Sequence, residues 1–253
     1  MISSRLVSLG ARTGPRRFMS TAKLLLDIKS SIKEIENNSS RGLIITSASP
    51  KVFCAGLDIL EMYKPDQQRL RAVWTELQNV WCALYGISVP TAAAINGHAP
   101  AGGCLLATAC EYRVMVPDCR IGLNETQLGI IAPKWLVSGF LNVLPKRVAE
   151  RALTQSRLFT TDEALQEGLI DEIATSKEEA VEKCAAFIGT FARVNSVARA
   201  LTKQQFRADN LRQFHKEREQ DVEIFLSLVN RPEVQKGIGL YLEGLKKKKA
   251  NKK

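Results

Sequence analysis

Residues 23–36 (KLLLDIKSSIKEIE) place apolar side chains at Leu24, Leu25, Ile28, Ile32 and Ile35, a spacing of three and four that predicts an amphipathic helix. Residues 37–40 (NNSS) end it. Residues 42–47 (GLIITS) form a short β-branched run bounded by turn residues, which predicts a buried strand. A loop over 48–58 follows, with Pro50 and Gly56 in it. The segment 67–85 is a long helix with Leu70, Val73, Trp74, Leu77, Trp81 and Leu84 on one side. Residues 91–95 read as a small-residue strand, 96–103 as a Gly/Pro-rich turn, 103–110 as a short buried helix and 112–116 as another strand. Helix and strand therefore alternate, which predicts α/β layers joined by crossover connections.

Beyond Lys134 the pattern turns helical. Thr160-Thr-Asp-Glu163 and Ser176-Lys-Glu-Glu179 read as capping boxes. Pro232 stands where a first helical residue tolerates proline. No fixed-period repeat is present. The expected organisation is a leader over 1–20, an α/β core over 21–175, a helical lobe over 176–245 that serves oligomerisation, and a Lys-rich tail over 246–253.

With 253 residues, 45% of them apolar and 25% charged, the chain can bury a core without disulfides or metals. No stretch approaches the roughly 18 uninterrupted apolar residues of a membrane span, so no stable membrane insertion is expected. The net charge of +10 would suggest nucleic acid were it not confined to the ends. Arg5, Arg12, Arg16, Arg17 and Lys23 precede the first acid, Asp27, and KKKKANKK closes the chain. Without those eleven charges, 25 of the 36 Lys and Arg remain against 26 Asp and Glu, so the body is near neutrality. No basic stripe or nucleic-acid module is present, and no nucleic-acid partner is expected. The first twenty residues, rich in Arg and Ser and free of acid, have the composition of a mitochondrial presequence, with a processing pattern near Phe18–Ser20. Six cysteines without a C-x-x-C pair read as reduced core thiols, which fits a reducing compartment. Two histidines, His98 and His215, leave little material for a His-based zinc site.

The chain has no G-x-S-x-G elbow, no G-x4-G-K-[ST] loop and no H-E-x-x-H helix. What remains is two backbone-exposing loops, Phe53-Cys-Ala-Gly-Leu-Asp58 and Asn96-Gly-His-Ala-Pro-Ala-Gly-Gly-Cys104, and one carboxylate. Glycine there admits close approach to the main chain. The second loop opens a helix, whose free N–H groups carry positive potential. Two such N–H groups converging on one oxygen make an oxyanion hole; two ordinary tight turns are the other reading. Glu125 lies in an apolar, amide-rich stretch (GLNETQLGIIAP) with no adjacent Lys or Arg. Buried, it would have a raised pKa suited to a general base; exposed, it would merely cap a turn.

Taken together, these three elements resemble, in order and spacing, those of the crotonase (enoyl-CoA hydratase/isomerase) superfamily. The GLNETQLGIIAP run is similar to that of its mitochondrial Δ3,Δ2-enoyl-CoA isomerase branch. The resemblance implies a spiral of β-β-α units with a C-terminal helical lobe, covering the chain from about residue 20. It implies an acyl-CoA substrate and movement of a 3-enoyl-CoA double bond to give (2E)-enoyl-CoA in the β-oxidation of unsaturated fatty acids. Leu57 and Gly102 would hold the thioester oxygen, Ala55, Gly56, Leu57, Asp58, Ile59 and Gly102 would bind substrate, and Glu125 would be the base. No metal or redox cofactor is implied, and a homotrimer in the mitochondrial matrix is. Hydratases of the family carry a second glutamate where this chain has Leu105, which argues against hydration. Family members also place a β-hairpin before the first helix. By that resemblance about 25 residues of the region are expected to be absent here, which predicts an open sheet edge and a weakened wall of the CoA site. A truncated, inactive subunit and a hydratase- or hydrolase-type member remain alternative readings.

Overall fold

The structure is a computed structural model that describes residues 5–9, 21–38 and 40–250. Strand β1 (Arg5–Leu9) is followed by helix α1 (Thr21–Glu36) and strand β2 (Leu43–Ser47). A single turn, α2 (Ile59–Met62), leads into the 20-residue α3 (Gln67–Gly86). Next come β3 (Thr91–Ile95), β4 (Ala99–Pro100), α4 (Gly102–Ala109), β5 (Tyr112–Met115), β6 (Arg120–Gly122) and a 3-10 turn over Glu125–Leu128. The second half carries α5 (Lys134–Leu141), α6 (Lys146–Thr154), β7 (Phe159–Thr160), α7 (Thr161–Glu167), β8 (Glu172–Ile173) and α8 (Lys177–Gly189). The 34-residue α9 (Ser196–Val229) and α10 (Pro232–Ala250) complete it.

The main sheet is parallel, in the order β1-β2-β3-β5-β8. Parallel strands joined by helical crossovers are covered on both faces, which is why GLIITS and TAAAI contain no charge. Along β2 and β3 alternate side chains enter different cores. Leu43, Ile45, Ala93 and Ile95 join the large core with α1 and α3. Ile44, Ala92 and Ala94 join Ala180, Cys184 and Ile188 of α8. The alanines of β3 are small enough to let α8 settle close to the sheet.

The expected helices at 23–36 and 67–85 form with the expected faces inward: Ile28, Ile32 and Ile35 of α1, and Leu70, Val73, Trp74, Leu77, Trp81 and Leu84 of α3, are buried. Thr160 makes a full capping box with Glu163. At Ser176 only half the box forms. The serine hydroxyl accepts the Glu179 N–H, but the Glu179 carboxylate turns to the N–H and hydroxyl of Thr175 instead of the serine.

Two features differ from the sequence expectation. A second sheet, β4-β6-β7, is built from strands of two or three residues. The edge of β2 expected to stand open is occupied by β1, in register from Arg5 opposite Leu43 to Leu9 opposite Ser47. Five residues of the segment read as a leader therefore pair with the sheet; 1–4 and 10–20 lie outside the described residues.

α9 is the strut of the helical lobe. Phe225 stacks on Trp74 with centroids 3.6 Å apart, and Phe214 packs against Trp81 and Trp135. Asp221 accepts N–H bonds from Trp74, Trp135 and Gln78 at 2.8–3.0 Å. Near the other end of α9, Glu111 is held by Arg199 and by Lys203 at 2.8 Å. Burial pushes the Lys203 ammonium down to about 8 despite that partner.

Candidate active site

The loop after β2 and the loop after β3 are laced together by backbone bonds. His98 donates to the Lys51 carbonyl (3.0 Å), and its own carbonyl accepts from Phe53 (2.9 Å) and Cys54 (3.3 Å). Asn96 ties the exit of β2 to the same junction. Its side chain accepts the Ser47 N–H (3.1 Å) and donates to the Ser47 (3.1 Å) and Ser49 (2.8 Å) carbonyls. His98 Nδ1 accepts the Arg120 N–H at 3.1 Å, so its proton sits on Nε2 and the ring is committed to structure.

This lacing forces a close backbone approach that only glycine permits. A Cβ on Gly103 would lie 2.2 Å from the Cys54 carbonyl oxygen. A Cβ on Gly102 would lie 3.0 Å from the Gly56 Cα and 3.8 Å from the Leu57 nitrogen, and Gly56 itself takes a φ of +87°. Leu57 and Gly102 are thus neighbours across the two loops. Neither N–H has a hydrogen-bond partner among the described residues. The Gly102 N–H is an orphan because it opens α4. Ala101, just before it, is held at φ 49°, a costly conformation for a residue with a Cβ, while its own N–H bonds the Gly122 carbonyl at 2.8 Å.

Of the residues expected to bind substrate, Gly56, Leu57 and Gly102 meet at this junction, and Ile59 is half-buried beside it. Ala55 and Asp58 are exposed, and the Asp58 carboxylate caps α2 by accepting the Leu60 N–H at 3.0 Å.

Glu125 opens the 3-10 turn, which Gly129 closes in the left-handed conformation, φ 77°. Its Oε2 is buried without a hydrogen-bond partner among the described residues. Burial pushes the carboxyl up to about 7, opposed only by the residue's own backbone N–H. A pocket of about 180 Å³ opens beside it, lined by Thr126, Ile131, Ala132, Val137, Leu153 and Thr154. Cys104 of α4 lies near enough that the Glu125 charge adds to burial in raising its thiol. Leu105, the next residue, is buried in the same helix. An unpaired, desolvated carboxylate with a pKa near neutrality can take a proton and give it back.

The family described as Enoyl-CoA hydratase/isomerase matches residues 20–251. The chain belongs to it. Two relatives within the enoyl-CoA hydratase/isomerase family are named Enoyl-CoA delta isomerase 1, mitochondrial. The rat protein is 40% identical over 233 residues, spanning 90% of this chain and 79% of the relative. The human protein is 40% identical over 231 residues, spanning 90% and 76%. The crystal structure of human mitochondrial delta3-delta2-enoyl-CoA isomerase superposes with a TM-score of 0.86 at 38% identity, covering 90% of this chain and 89% of that one. An enoyl-CoA hydratase from Bacillus halodurans shares the fold, with a TM-score of 0.79 at 23% identity over 87% and 89% of the two chains.

Around this candidate site of the enoyl-CoA hydratase/isomerase family member, several supporting residues escape sequence reasoning. The Thr126 hydroxyl bonds the Leu153 carbonyl and Ser156, tying the Glu125 turn to α6. Gln235 of α10 donates to the Met62 and Val229 carbonyls and accepts the Lys64 N–H, stapling α10 to the end of α2. Except for Val229, six residues before Gln235, these partners stand 27 to 173 residues apart, so no local pattern announces them.

Proposed function

We propose that the chain is a Δ3,Δ2-enoyl-CoA isomerase, converting a 3-enoyl-CoA to the (2E)-enoyl-CoA in β-oxidation of unsaturated fatty acids. The observation that carries this reading is the Glu125 carboxylate, buried with Oε2 unpartnered and a pKa near 7. In the proposed reaction Glu125 removes a proton from C2. The C2–H electron pair becomes a C1–C2 double bond, and the thioester oxygen takes up negative charge. The Leu57 and Gly102 N–H groups bind that oxygen; losing one such donor typically costs about 3–4 kcal/mol of transition-state stabilisation. The oxyanion pair then re-forms the carbonyl, the C1–C2 π pair shifts to C2–C3, and the C3–C4 π pair takes the same proton from the protonated Glu125 to make the new C4–H bond. Substrate and product have identical atoms, and the thioester is the electron sink, so the proposed step draws on no metal or redox cofactor. The apolar lining of the Glu125 pocket suits the acyl chain.

Leu105 supports isomerisation over hydration. It is buried at 2% exposure and stands where the family's hydratases carry a second glutamate, and an alkyl side chain cannot orient water. Glu125→Gln keeps size and hydrogen bonding but removes the base. The test is the absorbance of the conjugated enoyl thioester, with acyl-CoA binding measured in parallel. Turnover is expected to fall by about two orders of magnitude or more with binding nearly unchanged. Near-normal turnover in folded Glu125→Gln, or hydration of crotonyl-CoA by the parent chain as fast as isomerisation, overturns the reading.

We further propose a mitochondrial matrix location, supported by the acid-free, Arg-rich first twenty residues and by the relatives' names. A homotrimer joined through the C-terminal helices is supported by Val197, Leu201 and Phe206 of α9, which are 66%, 57% and 81% exposed.

A further inference from the structure

We propose that Thr126 is a positioning residue, its hydroxyl wedged between the Leu153 carbonyl and Ser156 so as to fix the turn that carries Glu125. This inference rests on the reading of Glu125 as the base. The turn needs such a tie. It is four residues long and closed by the Gln127-to-Asn124, Gly129-to-Thr126 and Ile130-to-Glu125 backbone bonds at 3.1, 3.1 and 3.3 Å. A 3-10 turn of that length has poor hydrogen-bond geometry and little intrinsic stiffness.

The hydrogen-bond directions follow from chemistry. The Leu153 carbonyl can only accept, so the Thr126 O–H donates to it at 2.8 Å. The Ser156 O–H then donates to Thr126 Oγ1 at 2.6 Å. Leu153 is the penultimate residue of α6, and the N–H four residues on, that of Arg157, goes to the Ala152 carbonyl instead; the Leu153 carbonyl is left with the N–H groups of Gln155 and, at 3.4 Å, Ser156. At 2.8 Å the Thr126 hydroxyl is a closer donor to that carbonyl than the Ser156 N–H, and the bond gives the Glu125 turn a fixed anchor on α6. Ser156 is held at φ 54°, an expensive place for a serine, and from there its hydroxyl reaches Thr126. From the opposite side α10 braces the same turn: a Cβ on Gly129 would lie 3.3 Å from Val234, and one on Gly237 would lie 4.0 Å from the Leu128 carbonyl oxygen. Thr126 is itself exposed, so burial of its methyl group does not account for its place. The hydroxyl does.

Proton transfer is sensitive to misplacement of the base, and a shift of about 1 Å can cost on the order of 100-fold in rate. Thr126→Val preserves shape and deletes the hydroxyl; Thr126→Ser keeps the hydroxyl and deletes the methyl; Ser156→Ala removes only the outer donor. For 3-enoyl-CoA isomerisation, Thr126→Val is expected to lower kcat about tenfold with KM within about twofold of the parent, Thr126→Ser to recover most of the loss, and Ser156→Ala to lower kcat about threefold. A lowered Tm in Thr126→Val with kcat unchanged would show a structural cap and overturn the proposal. So would a Thr126→Ser variant as slow as Thr126→Val. Should Thr126→Val not fold, Ser156→Ala decides: unchanged kcat there overturns the proposal. Glu125→Gln is assayed alongside. Activity retained in Glu125→Gln refutes the base itself, whereas an inactive Glu125→Gln beside a fully active Thr126→Val refutes only the role of Thr126.

Discussion

Glu125, the proposed base, is buried at a cost to the fold that a pH series can measure. Its carboxyl, normally near 4.5, is pushed up to about 7 because burial penalises the charged form. Between those values the folded chain binds more protons at this site than the unfolded chain, so stability falls as pH rises through the window. Above about 7 the full penalty is present, on the order of 3 kcal/mol; below about 4.5 it vanishes. Glu125→Gln removes the titration. Its Tm relative to the parent chain is therefore expected to be higher at pH 8 than at pH 4.5, measured by melts across that range. The rate should move the opposite way, since only the ionised form accepts a proton: kcat/KM of the parent is expected to rise with pH to a plateau, with its midpoint near 7. A Tm difference independent of pH would mean that the carboxyl titrates normally.

At the scale of elements, it is backbone proximity of the two laced loops that brings the proposed oxyanion donors, the Leu57 and Gly102 N–H groups, together. Gly103→Ala drives a methyl group against the Cys54 carbonyl, 2.2 Å from where a Cβ must sit, so either α4 or the first loop has to move. Such overpacking typically costs about 1–3 kcal/mol. The same displacement parts the Leu57 and Gly102 N–H groups, so activity is expected to fall about 100-fold or more while the protein still folds. Gly86→Ala, where the nearest atom would be Leu211 Cδ1 at 3.7 Å, is the matched control and should leave both Tm and turnover near the parent's. The two glycine loops were legible as local motifs, and α1 and α3 as helices, because glycine placement and a 3.6-residue apolar period are written along the chain. The β4-β6-β7 sheet was not legible. Strands of two or three residues carry no period, and β7 pairs with β6 some forty residues before it. Ser176 shows a subtler limit: the motif for a capping box is present, but Thr175 offers the Glu179 carboxylate a hydroxyl and an N–H together, and it takes those. Glu125 was legible as a carboxylate without a neighbouring cation. The pocket beside it was legible only in part: Ile131 and Ala132 follow Glu125 in the same segment, but Val137 comes from α5 and Leu153 and Thr154 from α6.

Over the whole molecule, the largest question lies at the sheet edge. β2 and β3 are buried on both faces, but a parallel sheet still needs its outer strand paired or covered. β1 does this for β2 through five register pairs, using residues whose composition is that of a cleavable leader. Those two uses of one segment compete. Processing near Phe18–Ser20 would cut β1 from the chain and reopen the β2 edge, leaving Glu125, Leu57 and Gly102 in place but the sheet beneath them short of a strand. A chain lacking residues 1–20 is therefore expected to melt about 5–10 °C below the full chain. That corresponds to losing a few ladder hydrogen bonds of about 1 kcal/mol each in a protein of this size. It should also aggregate faster at moderate temperature, through the exposed strand. Differential scanning fluorimetry and light scattering on the two forms measure this directly, and mass spectrometry of the N-terminus of protein recovered from mitochondria shows which form is present there. Equal melting of the two forms would mean that β1 adds nothing to the fold. A depressed Tm for the shortened chain, together with an intact N-terminus in mitochondria, would mean that the chain uses as a strand what its composition offers as an address.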